Sequence, residues 1–493
     1  MNSEKHIKPS PHAIEPNLEP VPSMHILDLP PELFHRILLF SILARSLIPD
    51  YDEAVNARRA LRLKLVSKAF RYAFQPALFE SRVLDRFGSR HSFTTPRRHY
   101  GADQLWHSYL VYRVHNETDP AIGRFVEIQQ IAKKICIAAL SDYDKIVDGL
   151  CWLALARGTK YPGHRKYWAE HIARENEPPN PRLNLLSAAA YFGHLDLAKE
   201  LLNEGCCPTK DDLFLSPMLL AASAGNRDVL MLFQEHLPDY EDRSSGRRTT
   251  RWRGKTGPTS IEGAVLSGDI DMVRLAIFPP SRAEPQRPSF NGQEFGNVDP
   301  CSNSGYELTN AIWMSTNWDV FQYIEGGLSP SPDHRDGYLA LQAERGNLGM
   351  VEKLLDHGWD IEGGNKLNNY PLIQAARAFH LHVVDTLLRR GANPNNHERS
   401  QLGSALSAAA TAGSMSIIRK LYEYGANNDN DPSDQMKMLR KALLLEHTEM
   451  VNFFFERGLL GRKCPESIRK NVEVEGLESM IQLLEKWEWV EVV

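Results

Sequence analysis

From about Leu183 to near the C-terminus the apolar positions recur in one template. A small or apolar run is followed by a short turn, an acidic or polar residue, an apolar helix ending in a Leu-Leu-like pair, and a glycine. The clearest copies read "LLSAAAYFGHLDLAKELLNEG", "LALQAERGNLGMVEKLLDHG", "LIQAARAFHLHVVDTLLRRG", "LSAAATAGSMSIIRKLYEYG" and "LRKALLLEHTEMVNFFFERG". Their closing glycines are Gly205, Gly358, Gly391, Gly425 and Gly458, the last four spaced by 33, 34 and 33 residues. Twelve residues upstream of each lies the turn between two predicted helices, at Gly193, Gly346, Phe379, Gly413 and Glu446. The alanine-rich first helix lets neighbouring backbones approach closely, and the second supplies bulky pairs such as Leu201-Leu202 and Leu387-Leu388. A glycine after the second helix suits the left-handed position that ends a helix. One such pair cannot bury its apolar face alone, so the pattern predicts a stack.

The template resembles the ankyrin repeat. Tyr370-Pro371-Leu372 and Ser216-Pro217-Met218 stand where that family has Thr-Pro-Leu, and "GANPNN" from Gly391 resembles its Gly-Ala-Asp-Pro-Asn turn. Weaker copies occupy "SPMLLAASAGNRDVLMLFQEH", "TSIEGAVLSGDIDMVRLAIF" and "ELTNAIWMSTNWDVFQYIEGG", and "EGLESMIQLLEKWEWV" reads as a partial capping unit, for about eight repeats. Phe379 and Glu446 depart from the family by replacing the turn glycine, and the motif histidine before the alanines is missing. Two insertions of loop composition, 238–258 and 279–305, interrupt the period.

Near the N-terminus "ILDLPPELFHRILLFSIL" opens a second pattern. Pro31 fits a first helical turn, where its missing N–H has no helical partner, and Glu32 suits the positive end of the helix dipole. Leu33, Ile37 and Phe40 at i, i+4, i+7 form one apolar stripe. With "RRALRLKLVSKAFRYAFQPALFESRVL" downstream, the region resembles an F-box. The matches are Leu29, Pro30, Glu32, Leu33, Ile37 and Leu38, then Leu63, Val66 and Phe70, then Leu78 with Phe79 in place of Leu-Trp. Pro30 and Val66 stand 36 residues apart, wider than the motif, which implies a longer loop around Ser46 to Asn56. In that family such residues dock the small Skp-type adaptor of cullin–RING ubiquitin ligases. A purely structural helical cap for the repeats is the other reading of the same stretch.

Between the two patterns, "LWHSYLVYRV", "IGRFVEIQQIAKKICIAAL" and "YDKIVDGLCWLALARG" read as amphipathic or buried helices that join the modules and shield the first repeat. Trp106 and Trp152 read as core residues. Composition is that of a globular chain, 42% hydrophobic and 24% charged. The most apolar stretch, Ile37 to Leu43, is far short of a membrane span. The first twenty residues are polar and proline-spotted, without a signal peptide's apolar core, so a cytoplasmic or nuclear location is expected.

A net charge of -5 argues against wholesale nucleic-acid binding, although eleven basic residues against two acidic ones lie between Ala54 and Arg98. Six cysteines without metal-ligand spacing read as reduced, mostly buried thiols. "RGKTGP" from Arg253 has the Gly-Lys-Thr of a phosphate-binding loop, but Thr249 stands where its first glycine belongs and Gly257-Pro258 where its helix must begin. The basic stretch 243–255 reads as a solvated loop, with a nuclear-import signal or a contact for an acidic partner as the alternative. Hydrolase, metalloprotease, dinucleotide and kinase signatures are missing, so neither catalytic residue, metal nor cofactor is expected.

The expected architecture is all-α. A disordered stretch 1–24 leads into an F-box-like three-helix module at 25–84, a helical connector at 85–182 and ankyrin repeats at 183–493. As an F-box protein with C-terminal ankyrin repeats of the fungal type, the chain is expected to be the substrate-recognition subunit of a ubiquitin ligase. Leu29, Pro30, Glu32, Leu33, Ile37, Leu38, Val66, Phe70, Leu78 and Phe79 then meet the adaptor. Trp359, Asn369, Tyr370, Asn395 and His397 are candidates for holding a protein substrate. A stand-alone ankyrin scaffold is the competing reading, and neither a nucleic-acid nor a membrane partner is expected.

Overall fold

The computed structural model describes residues 26–46, 63, 68–86, 102–122, 124–139, 142–160, 180–237, 258–280, 303–327, 337–363, 370–396, 403–427, 432–458 and 466–489. Among these residues the regular structure is helical and no strand occurs. Both expected insertions fall largely outside them, as do residues 1–24, the loop after Ser46 and the basic stretch 243–255. Pro258 and Asn303, however, each open a helix. The chain divides into two compact units, Met1–Phe87 and Gly88–Val493.

In the first unit α1 (Pro31–Ser46) packs on α2 (Lys68–Glu80), with single 3-10 turns at Ile26–Asp28 and Val83–Arg86. Pro31 takes the first helical position, and the Pro30 carbonyl accepts the N–H groups of Leu33 and Phe34 at 3.0 Å each. α1 carries two apolar stripes rather than one. Leu38 and Ile42 are buried, and Phe34 sets its ring edge-on to Phe70 at 5.0 Å. α2 contributes Phe70, Phe74, Ala77, Leu78 and Phe79 to the same small core. His35 Nε2 lies 2.6 Å from Glu80 Oε2 and ties the two helices together outside that core.

The second unit begins with α3 (Ala102–Asn116), α4 (Phe125–Ala139) and α5 (Tyr143–Lys160), which pack on one another. Arg113 is buried there, bonded to Glu117 Oε2 at 2.9 Å with its guanidinium 4.5 Å from the Phe125 ring centre. Trp106 leans against the core, as expected. Trp152 does not: it is 42% exposed and stacks on His107 at 4.1 Å. Helical periodicity places Trp152 one residue from the buried Cys151, and that single step turns it outward.

Nine helix pairs follow among the described residues. They are α6 (Pro181–Phe192) with α7 (Leu195–Asn203), α8 (Pro217–Ser223) with α9 (Arg227–His236), and α10 (Pro258–Ser267) with α11 (Ile270–Ile277). Then come α12 (Asn303–Met314) with α13 (Trp318–Gly327), α14 (Tyr338–Arg345) with α15 (Leu348–Asp356), and α16 (Pro371–Arg377) with α17 (Leu381–Arg389). The last are α18 (Ala405–Ala412) with α19 (Met415–Glu423), α20 (Pro432–Leu444) with α21 (Thr448–Glu456), and α22 (Glu466–Val474) with α23 (Glu478–Trp489). The last unit is thus a full pair, where its sequence suggested a partial one.

First helices pack on neighbouring first helices, as in α6–α8–α10–α12 and α14–α16–α18–α20–α22, while α4 lies against α6. One continuous apolar core runs from Leu110 to Leu484. The alanines of the first helices are buried in it, because only small side chains leave room for helices this close. At the inter-helix turns Phe379 (φ 66) and Glu446 (φ 53) hold the left-handed conformation that Gly193, Gly346 and Gly413 hold elsewhere. The repeat imposes that backbone even where the sequence supplies a β-carbon.

Candidate interaction surfaces

The first surface is the outer face of α1. Leu33, Ile37 and Phe40 are 48%, 38% and 62% exposed, and Ile26 and Leu27 just before the helix are exposed as well. Their spacing puts the three helical residues on one stripe, roughly a third of a turn away from the packed stripe of Phe34, Leu38 and Ile42. Of the other residues expected at the adaptor, Pro30 and Glu32 are exposed and Leu29 is half-buried. Leu38, Phe70, Leu78 and Phe79 are not surface residues: they form the core beneath the stripe. They can position a partner-binding face but cannot touch a partner. Val66 lies outside the described residues. Ile26 and Leu27 were not anticipated, because their neighbouring apolar positions carry no helical period.

The second surface is the row of turns between one pair and the next. These turns are stitched to each other by side chains. Glu362 accepts Asn393 N–H and an Asn396 amide N–H, each at 2.6 Å. Asn395 donates to the Gly425 carbonyl at 3.0 Å and accepts Asn427 N–H at 2.9 Å. Asn395 therefore engages both ends of its amide in joining its turn to the following one, and is not turned outward for a substrate. Trp359 packs against the core with its ring centre 5.9 Å from Tyr338 and 6.0 Å from Phe321, and Tyr370 is half-buried at the start of α16. The structure does not gather these residues into one site. Asn369 and His397 lie outside the described residues.

A matching ladder joins the far ends of the pairs. Asn226, just before α9, donates to the carbonyls of Ala190 and Tyr191 at 2.8 and 2.7 Å. Asn347, before α15, donates to Thr316 at 3.0 Å, and the His380 ring, before α17, bonds the Glu344 carbonyl at 3.1 Å. In each case one polar residue satisfies carbonyls left open where the preceding pair's first helix ends. The three, two asparagines and a histidine, stand at the same place just before a second helix.

Where α4 meets the first repeat, a polar cluster holds the two together. Arg124 bonds Glu127 at 2.6 and 2.9 Å and Asp212 at 2.6 and 2.9 Å. The Asn184 amide bridges the two carboxylates, at 2.7 Å from Glu127 and 2.8 Å from Asp212, and its oxygen accepts Leu213 N–H. Burial alone pushes the Asp212 carboxyl up, but the Arg124 guanidinium, the Asn180 N–H and the Asn184 amide outweigh it and hold it down at about 2. Sequence gave no sign of this cluster, since Arg124 and Asp212 are 88 residues apart. Among the described residues, side chains able to hold a metal ion do not gather, and no helix is long and apolar enough to cross a membrane.

Comparison with known proteins bears on the repeats. Residues 367–398 match the ankyrin repeat family. Over 281 residues, 56% of this chain, the sequence is 30% identical to the ankyrin repeat and KH domain-containing protein mask-1 of Caenorhabditis elegans. A second ankyrin repeat and KH domain-containing protein, from Caenorhabditis briggsae, is 29% identical over 26% of the chain. The ankyrin repeat, SAM and basic leucine zipper domain-containing protein 1 of Loxodonta africana is 28% identical over 24% of the chain. The chain spans only 8% and 5% of the two nematode proteins and 24% of the third.

Proposed function

We infer that the C-terminal helix pairs, of which residues 367–398 match the ankyrin repeat family, form a protein–protein interaction domain. We propose that the whole chain is a bipartite interaction subunit of a cullin–RING ubiquitin ligase, present in the cytoplasm or nucleus. The outer stripe of α1 docks the Skp-type adaptor, and the repeats hold a protein substrate. The chain contributes proximity rather than bond chemistry: it raises the local concentration of substrate beside the ligase.

The observation that supports this reading is the double-sided α1. A helix that only closed a small core needs one apolar stripe, which Phe34, Leu38 and Ile42 already supply. The second stripe, Leu33, Ile37 and Phe40 with Ile26 and Leu27 beside it, is an exposed apolar patch of the kind that marks a protein contact. It contains Leu33 and Ile37, two of the residues through which the F-box resemblance implies adaptor binding. The exposed part of the expected set, Pro30, Glu32, Leu33 and Ile37, is retained in the proposed contact, and Phe40 joins it.

The test is a pull-down of the full chain on purified Skp-type adaptor. Wild type is expected to bind, and the Leu33→Asp, Ile37→Asp double variant to weaken binding by more than about thirty-fold. Because both positions lie outside the packed stripe, the variant keeps its circular dichroism. If wild type fails to bind, the ligase reading falls and a stand-alone ankyrin scaffold takes its place.

A further inference from the structure

The first helices of the last four pairs, α16, α18, α20 and α22, end on one edge, at the turns that carry Phe379, Gly413, Glu446 and Gly476. A β-carbon placed on Gly413 would meet Leu445 Cδ1 at 3.3 Å, so the Leu445 side chain reaches over the preceding turn. Phe379, Leu445 and Val474 are 49%, 45% and 63% exposed along this edge. Half-buried Ala412, Met415 and Leu444 lie between them and continue the apolar surface from turn to turn. With packed helices about 8–10 Å apart, the row from Phe379 to Val474 is roughly 25–30 Å long.

Phe379 is strained in this row. It holds φ 66 where Gly193, Gly346 and Gly413 stand in other pairs, and half of its side chain faces solvent. Neither backbone sterics nor core packing favours a phenylalanine there, which leaves a contact with another molecule as its use.

Charge is unevenly placed along the same edge. At the Phe379 end the cations are engaged, Arg345 by the Trp313 carbonyl at 2.7 Å and Arg377 by Glu344 at 3.0 Å. The next turn, from Thr411 to Ser416, has no charged residue. Around Leu445 and Val474 stand Glu446, Glu473, Glu475 and Glu478. Against them are Lys441 and an Arg469 shared between Glu473 at 3.7 Å and Glu485 at 3.3 Å. The row is therefore apolar along its length and negative at its α20–α22 end.

We propose that this edge docks a basic amphipathic segment of a partner protein. Its apolar side chains lie against Phe379, Leu445 and Val474, and a run of Lys or Arg lies over Glu446, Glu475 and Glu478. The apolar row supplies affinity, while charge at one end only fixes the direction in which the segment lies. A helical segment that covers the row has about 17–20 residues. The proposal rests on reading the repeats as a protein-interaction domain and is independent of the adaptor contact on α1.

The test titrates the full chain into three fluorescein-labelled synthetic peptides, read by polarisation. The first has leucines along one helical side and a lysine run at one end. The second has glutamates for the lysines, and the third serines for the leucines. The lysine peptide is expected to bind at least about ten-fold tighter than either of the others, and to weaken as salt is raised. Phe379→Gly and Leu445→Ser are each expected to lower its affinity several-fold, and Phe379→Gly does so without lowering the thermal melt. Equal binding of the lysine and glutamate peptides, no binding of any peptide, or wild-type affinity in Phe379→Gly overturns the proposal. So does a wild type that sediments as a dimer and a Phe379→Gly variant that is monomeric, since the occupant is then a second copy. The adaptor pull-down is read separately: adaptor binding without peptide binding removes this proposal alone, and peptide binding without adaptor binding removes the ligase reading alone.

Discussion

Asp212 carries more of the fold than its place in a turn suggests. Its carboxyl meets Arg124 just before α4 and both Asn180 and Asn184 at the start of α6, two segments far from it in the chain. The folded value of about 2 lies below the ordinary carboxylate value of about 3.9. The resulting stabilisation is fully present above about pH 4 and is lost as pH falls through about 2. Asp212→Asn is expected to lower the stability of the second unit by about 2 kcal/mol at pH 7. The gap to wild type closes between about pH 4 and pH 2. Urea midpoints of both proteins across that range check the expectation; a gap independent of pH excludes it.

At the scale of elements, the turn inside each pair is the most repetitive feature and tolerates two different solutions. At Gly346 the left-handed backbone coincides with a close approach: a β-carbon there falls 2.4 Å from the ring of His380, which is itself held by the Glu344 carbonyl. Gly346→Ala is therefore expected to lower stability by about 2 kcal/mol, combining backbone strain with displacement of the ring. Phe379 holds the same backbone (φ 66) with its side chain 49% exposed, so it carries strain with little burial in return. Phe379→Gly is expected to leave stability unchanged or raise it by up to about 1 kcal/mol, unlike the loss of about 3–5 kcal/mol for emptying a buried phenylalanine site. Chemical denaturation of the two variants, read side by side, decides both.

For the second unit as a whole, each pair depends on its neighbours for burial, so the end of the stack needs a pair with a charged outer side. α22 and α23 provide one, burying Ile468, Val472, Leu477, Met480 and Leu484 while Glu466, Lys470, Glu473 and Glu478 stay exposed. Trp487 closes the contact, donating to Asn452 at 2.9 Å and stacking on Phe455 at 5.2 Å. A chain shortened by residues 466–493 is expected to melt several degrees lower and to self-associate, because the α20–α21 face is uncovered. Light scattering alongside a thermal melt reads both effects; an unchanged melt in a monomeric protein excludes this role.

The helix pairs, their order and the positions of their left-handed turns follow from the sequence alone. They rest on short-range physics: apolar spacing at the helical period, small residues where backbones must meet, and sterics that favour glycine at positive φ. The same local rules found the Leu33, Ile37 and Phe40 stripe.

They did not find the second stripe on α1, or the burial of Leu38, Phe70, Leu78 and Phe79 that makes them supports rather than contacts. Nor did they foresee the outward face of Trp152, the inward packing of Trp359, or the bridging role of Asn395. Each depends on which neighbour lies opposite. The Arg124, Glu127, Asn184 and Asp212 cluster is the extreme case, since polar groups far apart in the chain meet only after the stack has formed. A periodic pattern specifies that a face is buried; the packing partner decides which face, and which polar groups it brings together.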